Sequence, residues 1–355
     1  MSGTSLDGVD AVLVDFSRGP PHVVASAHHA FGGALRSELL ALQSPGNDEI
    51  ARAAIAGNSL AGAYAAAVDA LLRASGQHKG AVRAIGCHGQ TVRHRPERGF
   101  TVQIGNAALL AEQTGIRVIS DFRSRDIAAG GQGAPLAPGF HAHAFWHREE
   151  NRAVLNLGGI ANVTRLARDG TVAGFDCGPG NCLMDLWCTQ QTGAAFDDSG
   201  KWAASGQVIA RVLARMQQEP YFVQPPPKST GRDLFDEGWL RAKLGPDDEP
   251  RDVQATLLEL TARSICDAIV RHLPQTQRAI ACGGGTKNAA LMTRLREVLD
   301  PIPLEPSNQY GIDPQLVEAI AFAWLARQTL QELPGNLPSV TGARGQRVLG
   351  AIYPP

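Results

Sequence analysis

Short apolar runs that break into glycine turns recur in both halves of this 355-residue chain, and they constrain its fold more than any other feature. One run at residues 154–157 (VLNL) stops at Gly158-Gly159. Another at 172–175 leads into GFDCGPGN, and a third ends in ACGGGTKN at 281–288. A strand that stops at glycine leaves backbone amides at the sheet end, because glycine reaches φ values closed to other residues. Further strand signals lie at 9–16, 22–29, 82–87, 101–104, 118–120 and 163–166, and 9–16 with 22–29 read as a hairpin. Between the runs, Leu60, Tyr64, Val68, Leu71 and Leu72 share one face of an Ala-rich stretch over 49–75, and 253–273 and 316–330 repeat at helical spacing. Strands interleaved with such helices predict an α/β fold. The 39 glycines show no Gly-X-Y period, which excludes collagen, and 44% hydrophobic against 19% charged residues excludes bulk disorder.

Length allows about two domains. The turn-rich segment GGQGAPLAP at 130–138 marks the passage between them, dividing the chain into 1–145 and 146–355. The junctions at Gly3 and Gly158 look alike, which fits either a duplicated core or coincidence. Lys plus Arg number 33 against 34 Asp plus Glu, so no basic footprint for nucleic acid or an anionic membrane exists, and small-molecule partners are expected. Six cysteines without a C-x-x-C pair read as reduced thiols, and a cytoplasmic address follows. No basic and apolar leader opens the chain, and Asp69 interrupts the most apolar helical stretch, so neither a signal peptide nor a membrane span is expected.

Residues 3–10 (Gly3, Thr4, Ser5, Leu6, Asp7, Gly8, Val9, Asp10) bracket hydroxyls and a carboxylate with glycines. Such a turn suits ATP phosphates, with Asp7 holding Mg2+ through water, and it equally suits an ordinary hairpin. Asp176 follows a strand and precedes a glycine loop that includes Gly178, the place for a general base beside a phosphate or for a helix cap. Gly283, Gly284 and Gly285 follow an apolar strand and suit a nucleotide's base or phosphates, although neither the Walker A nor the dinucleotide pattern is matched. His88, Gln90 and Thr91 offer sugar-like hydrogen bonds after a strand. Asp121 and Arg123 follow another, and Arg123 suits a carboxylate or phosphate. Glu318 stands in the first turn of an apolar helix, where it caps that helix or meets a polar ligand. The histidines of HAHAFWH share no single face and have no acidic partner within the run, which speaks against a metal site. PPPK at 225–228 with the following STGR reads as an ordered loop.

Taken in order, MSGTSLDGVD, CHGQTVRHRP, QIGN, SDFRSRDIAAGGQGAPLAPGFH, NLGGIANVT, GFDCGPGN, PPPKSTGRDLF, CGGGTKN and GIDPQLVEAIAFAWLA closely resemble the anhydro-N-acetylmuramic acid kinases. The resemblance runs from Met1 to Ala326 and implies a two-domain actin-like ATPase (sugar kinase) fold, with a duplicated mixed β-sheet core and an interdomain cleft. It further implies ATP with Mg2+, anhydro-N-acetylmuramic acid and water as reactants, a homodimer, and three glycine loops for first phosphate, second phosphate and adenosine. Gly158 and Gly159 join the ATP contacts, and Glu318 joins sugar recognition. An intact-hexosamine kinase of the same superfamily and a non-catalytic sugar sensor are the alternatives. Two departures stand out. The family's strand before the first motif is cut short, so the expected start lies upstream of Met1, and Cys177 replaces a frequent Thr.

Overall fold

A computed structural model describes every residue except Thr4, Ser5, Asp7 and Arg18, so the expectations for those three motif residues lie outside the described residues. Among the described residues the strands are β1 (Gly8–Asp15), β2 (His22–Ala30), β3 (Ile85–Gly86), β4 (Gln90–Arg95), β5 (Phe100–Ile104), β6 (Val118–Ser120), β7 (Arg152–Leu157), β8 (Ile160–Leu166), β9 (Val172–Pro179), β10 (Arg278–Cys282), β11 (Leu304–Pro306) and β12 (Ala351–Tyr353). Compactness divides the chain into two units, Met1–Ala144 together with Leu316–Pro355, and Phe145–Gln315. The contiguous split expected from the sequence needs correction at its second half. Residues 316–355 fold with the first unit, because the apolar helix Val317–Leu330 lies against β1 and β3 and β12 pairs with β6.

The second unit is built on one five-stranded sheet in the order β11-β10-β7-β8-β9. Its core strand β7 runs antiparallel to β8 and parallel to β10, and Ala153, Val154, Leu155 and Leu157 are wholly buried, as a strand covered on both faces requires. β8 turns back into β9 antiparallel, so β7, β9 and β10 point the same way and end at the same edge of the sheet. The helix Pro250–His272 starts with proline in its first turn, where a missing N–H costs nothing, and buries Val253, Leu257, Leu260, Ile265 and Ile269. Parallel β10 and β11 are joined through the helix Ala289–Leu299, the crossover that parallel pairing needs.

In the first unit the helix Glu49–Ser75 stacks Ala56, Leu60, Tyr64, Ala67 and Leu71 into the core at three- and four-residue spacing and stops at Gly76, φ +65°. By length and composition this helix would pass as a membrane span despite Asp69, yet nearly half of its most apolar window is packed inside the unit. The hairpin β1–β2 forms as expected, β4–β5 forms a second, and β12-β6-β3 a three-stranded sheet. The run 82–87 yields only Ile85 and Gly86 as strand. A cavity of about 840 Å3 lies between β1 and β3, lined by Val12, Val14, Val68, Ile85 and Ala323 among others, and β1 is only half-buried along most of its length. Asp126, wholly buried, accepts from Gly133 N (2.8 Å), Asn336 Nδ2 (2.7 Å) and Thr341 Oγ1 (2.7 Å), tying the C-terminal segment into this unit.

Candidate active site

In the second unit, glycine turns meet at the shared end of β7, β9 and β10. Gly158 and Gly159 form the β7–β8 turn. Their carbonyls accept from the amides of Gly180, Asn181 and Cys182 beyond β9, so the first turn is stitched to the second. Gly283, at φ +87° after β10, sits so close to β7 that a Cβ there would overlap Asn156 Oδ1 and come within 3.0 Å of Leu157 backbone. A Cβ on Gly285 would stand 2.7 Å from Leu157 Cβ and 3.0 Å from Asn181 Oδ1. Gly284 has room, with only Gln315 Oε1 at 3.9 Å. The carboxyl edge of parallel strands is where open α/β sheets take ligands, and turns of this kind let backbone amides approach a phosphate.

Asp176 stands two residues before Gly178 on β9, paired across the ladder with Asn162. Its Oδ2 accepts from Thr230 N at 3.0 Å, its carbonyl accepts from Tyr221 O–H at 2.8 Å, and its own N–H reaches Lys228 O at 3.2 Å. Burial pushes its carboxyl up to about 6, against the opposing pull of the Thr230 amide and the Lys228 charge. That value suits a group that must take up a proton near neutrality. Lys228 is buried, donates to the carbonyls of Tyr221 (3.2 Å) and Phe222 (3.3 Å), and lies 4.7 Å from the centre of the Tyr221 ring. In the sequence alone this stretch reads as an ordered loop without a role. Contact between residues 54 positions apart, made through a backbone amide, leaves no local signal. Asp185, in the first turn of the helix Cys182–Thr192, is likewise raised to about 6, by burial first and with Arg232 pulling the other way.

The first unit holds the residues read as sugar contacts. His88 is buried, with Nδ1 2.7 Å from Gly89 O, and its Nε2 accepts from Arg123 Nε at 3.2 Å and Nη2 at 2.9 Å. Both ring nitrogens are thus engaged, and burial together with the Arg123 charge holds the imidazole well below its ordinary range, hence neutral. Arg123 also donates from Nη1 to Gly133 O at 2.8 Å; burial lowers it to about 10, and the Glu318 charge works against that shift. Glu318 itself is exposed in the first turn of Val317–Leu330. Gln90 is 2% exposed and its Oε1 has no partner among the described residues, while Thr91 Oγ1 accepts from Gln103 at 3.2 Å. Asp121 is exposed at φ +58° and accepts from Ser124 N and Oγ, so its carboxylate caps the start of a helix. Of the 3–10 segment, Gly3 accepts from Leu6 N, Leu6 and Val9 are core residues, and Gly8 begins β1. The Asp10 carboxylate meets His28 at 2.9 Å, and its backbone pairs with Met1. His141 is buried and lowered to about 3 by burial, and His143 stacks on Trp324; no group of metal-ligating side chains forms among the described residues.

The family model described as anhydro-N-acetylmuramic acid kinase matches residues 1–355. The chain is similar to the anhydro-N-acetylmuramic acid kinase of Nitrosomonas europaea, 52% identical over 356 residues and covering 100% of this chain and 98% of that one. It is also similar to that of Chromobacterium violaceum, 54% identical with 100% and 98% covered, and to that of Variovorax paradoxus, 55% identical with 100% and 97% covered. Among solved structures it is similar to the activator of the 2-hydroxyisocaproyl-CoA dehydratase from Clostridium difficile, at 14% identity, covering 93% and 99%, with a TM-score of 0.43.

Proposed function

The chain belongs to the anhydro-N-acetylmuramic acid kinase family, and from that membership we propose that it uses ATP to open the 1,6-anhydro ring of anhydro-N-acetylmuramic acid and phosphorylate it. The product is N-acetylmuramic acid 6-phosphate, a step of peptidoglycan recycling. The observation that carries this reading is Asp176, a carboxylate raised to about 6 at the strand edge where the glycine turns meet. In the proposed step, water attacks the anomeric carbon and gives one proton to Asp176. The bond from that carbon to the bridging oxygen breaks, and the freed oxygen attacks the γ-phosphorus as the bond to the departing ADP breaks. The Thr230 amide aims the carboxylate, and Tyr221 and Lys228 fix the backbone on either side of it.

Gly158, Gly159 and Gly178 take phosphate contacts in this reading, and Gly283 to Gly285 lie against the adenosine. The segment Gly3 to Gly8, with Val9 and Asp10, is assigned to the other phosphate contact in this reading. Mg2+ bound with ATP supplies charge neutralisation and needs only one or two protein carboxylates, for which Asp7 is the candidate. Arg123 is assigned to the lactyl carboxylate, and Glu318, His88, Gln90, Thr91 and Asp121 to the sugar's side of the site. A cytoplasmic homodimer completes the proposal.

The test is product mass after reaction with ATP and the anhydro sugar in oxygen-18 water. One heavy oxygen in the sugar phosphate is expected, and unlabelled product would reject hydrolytic ring opening. Consumption of ATP with an intact hexosamine instead would favour the related-kinase alternative.

A further inference from the structure

One side chain beside the glycine turns has no part in the scheme above. Arg232 follows directly on the segment that clamps Asp176, since Lys228 O, Thr230 N and then Arg232 succeed one another along a single loop. Its guanidinium lies over the β7–β8 turn, with Nη2 at 3.6 Å and Nε at 3.9 Å from where a Cβ on Gly159 would stand. Those are ordinary van der Waals separations, so the guanidinium packs directly over the turn. Arg232 is exposed, and its guanidinium joins no ion pair within 4.0 Å among the described residues. The neighbouring Asp185 and Cys182 both feel its positive charge. An uncommitted guanidinium above a glycine turn presents a planar fork of donors to whatever the turn holds, the geometry that suits a phosphoryl group's equatorial oxygens.

We propose that Arg232 is a catalytic residue that binds the transferred phosphoryl group of ATP at the Gly158–Gly159 turn and neutralises its charge as it leaves ADP. The proposal rests on the ATP-dependent reading given above. The same loop thus holds the base through Thr230 and supplies the cation through Arg232, so that water activation and phosphoryl transfer share one support.

The experiment is steady-state kinetics of the full chain and of Arg232→Ala and Arg232→Lys, with added guanidinium below denaturing concentrations. Arg232→Ala is expected to lower kcat about 1,000-fold, the order found for arginines that act on a transferring phosphate, with the KM of the sugar nearly unchanged. Arg232→Lys should fall between the two, and guanidinium should restore part of the alanine variant's rate while leaving the parent protein's unchanged. Turnover of Arg232→Ala within about threefold of the parent overturns the proposal. So does a loss that guanidinium does not relieve and that comes with a lowered melting temperature, because that pattern belongs to a structural residue. If the parent protein itself transfers no phosphate to the anhydro sugar, it is the kinase reading that fails.

Discussion

Asp176 carries opposite demands. Its carboxyl is raised from an ordinary 3.8 to about 6 by burial, so the ionised form that the proposed base needs for proton uptake is the form the folded chain disfavours. The sign follows directly. Between about 3.8 and 6 the folded state binds more protons than the unfolded one, stability falls as pH rises through that window, and the cost is complete above it. It amounts to at most about 3 kcal/mol near neutrality. Asp176→Asn, which keeps the acceptor for Thr230, should therefore melt at a higher temperature at pH 7, lose that advantage as the pH drops toward 4, and turn over at least about a hundredfold more slowly. A higher melting point that grows toward acid pH would contradict the assignment. In the parent protein, kcat/KM should rise with pH through an apparent pKa near 6, and the limb should vanish in the variant. His88 illustrates a different kind of residue. With both ring nitrogens spent on Gly89 and Arg123, it positions the guanidinium more than it presents itself to a sugar. Removing a hydrogen bond to a charged group costs about 1.5–3 kcal/mol, so His88→Ala should raise the KM for the sugar roughly tenfold or more, with the KM for ATP unmoved.

Glycine turns matter through what their neighbours leave no room for. Gly283 combines φ +87° with a Cβ position that would overlap Asn156 Oδ1, whereas Gly311, at φ +77°, has nothing within 4 Å of its Cβ position. Alanine at Gly311 pays only for the left-handed backbone, about 1 kcal/mol. Alanine at Gly283 must also push the β10 turn off β7, a further 1–3 kcal/mol or so. Differential scanning calorimetry and ATP titration of both variants should show Gly283→Ala clearly less stable and much weaker for ATP, and Gly311→Ala with ATP affinity unchanged. The helix Pro250–His272 depends on side-chain volume instead. Leu260, at 1% exposure, should cost about 2–5 kcal/mol on truncation to Ala, because the surrounding core cannot collapse into the space.

The two units are unlike in how the chain supplies them. Phe145–Gln315 is continuous, while the first unit is closed by a segment that arrives only after the second has been traversed. Leu316–Pro355 brings Ile320, Phe322 and Leu325 into that unit's core, the strand partner of β6, and the donors Asn336 and Thr341 for buried Asp126. A chain ending at Gln315 should therefore lose protease protection across 1–144 and retain it across 145–315. Equal protection of both stretches would mean that the C-terminal segment is dispensable to the first unit.

The α/β class, the strands expected at 154–157, 163–166 and 172–175, which the structure extends to 152–157, 160–166 and 172–179, the long helices and the glycine turns were legible in the amino-acid order, because alternation, helical spacing and glycine are signals carried by neighbours along the chain. Asp176 stood out in the sequence as a carboxylate expected after a strand and before a glycine loop, whereas the structure places it and Gly178 within β9. The Thr230 amide that holds Asp176, the Arg232 guanidinium over Gly159, the engagement of both His88 nitrogens and the return of residues 316–355 to the first unit were not legible there. Helical periodicity says that a face must be buried without saying against which sheet, and a backbone amide has no letter of its own. Those pairings arise from how distant segments pack, and packing also raises Asp176 by taking water away from it.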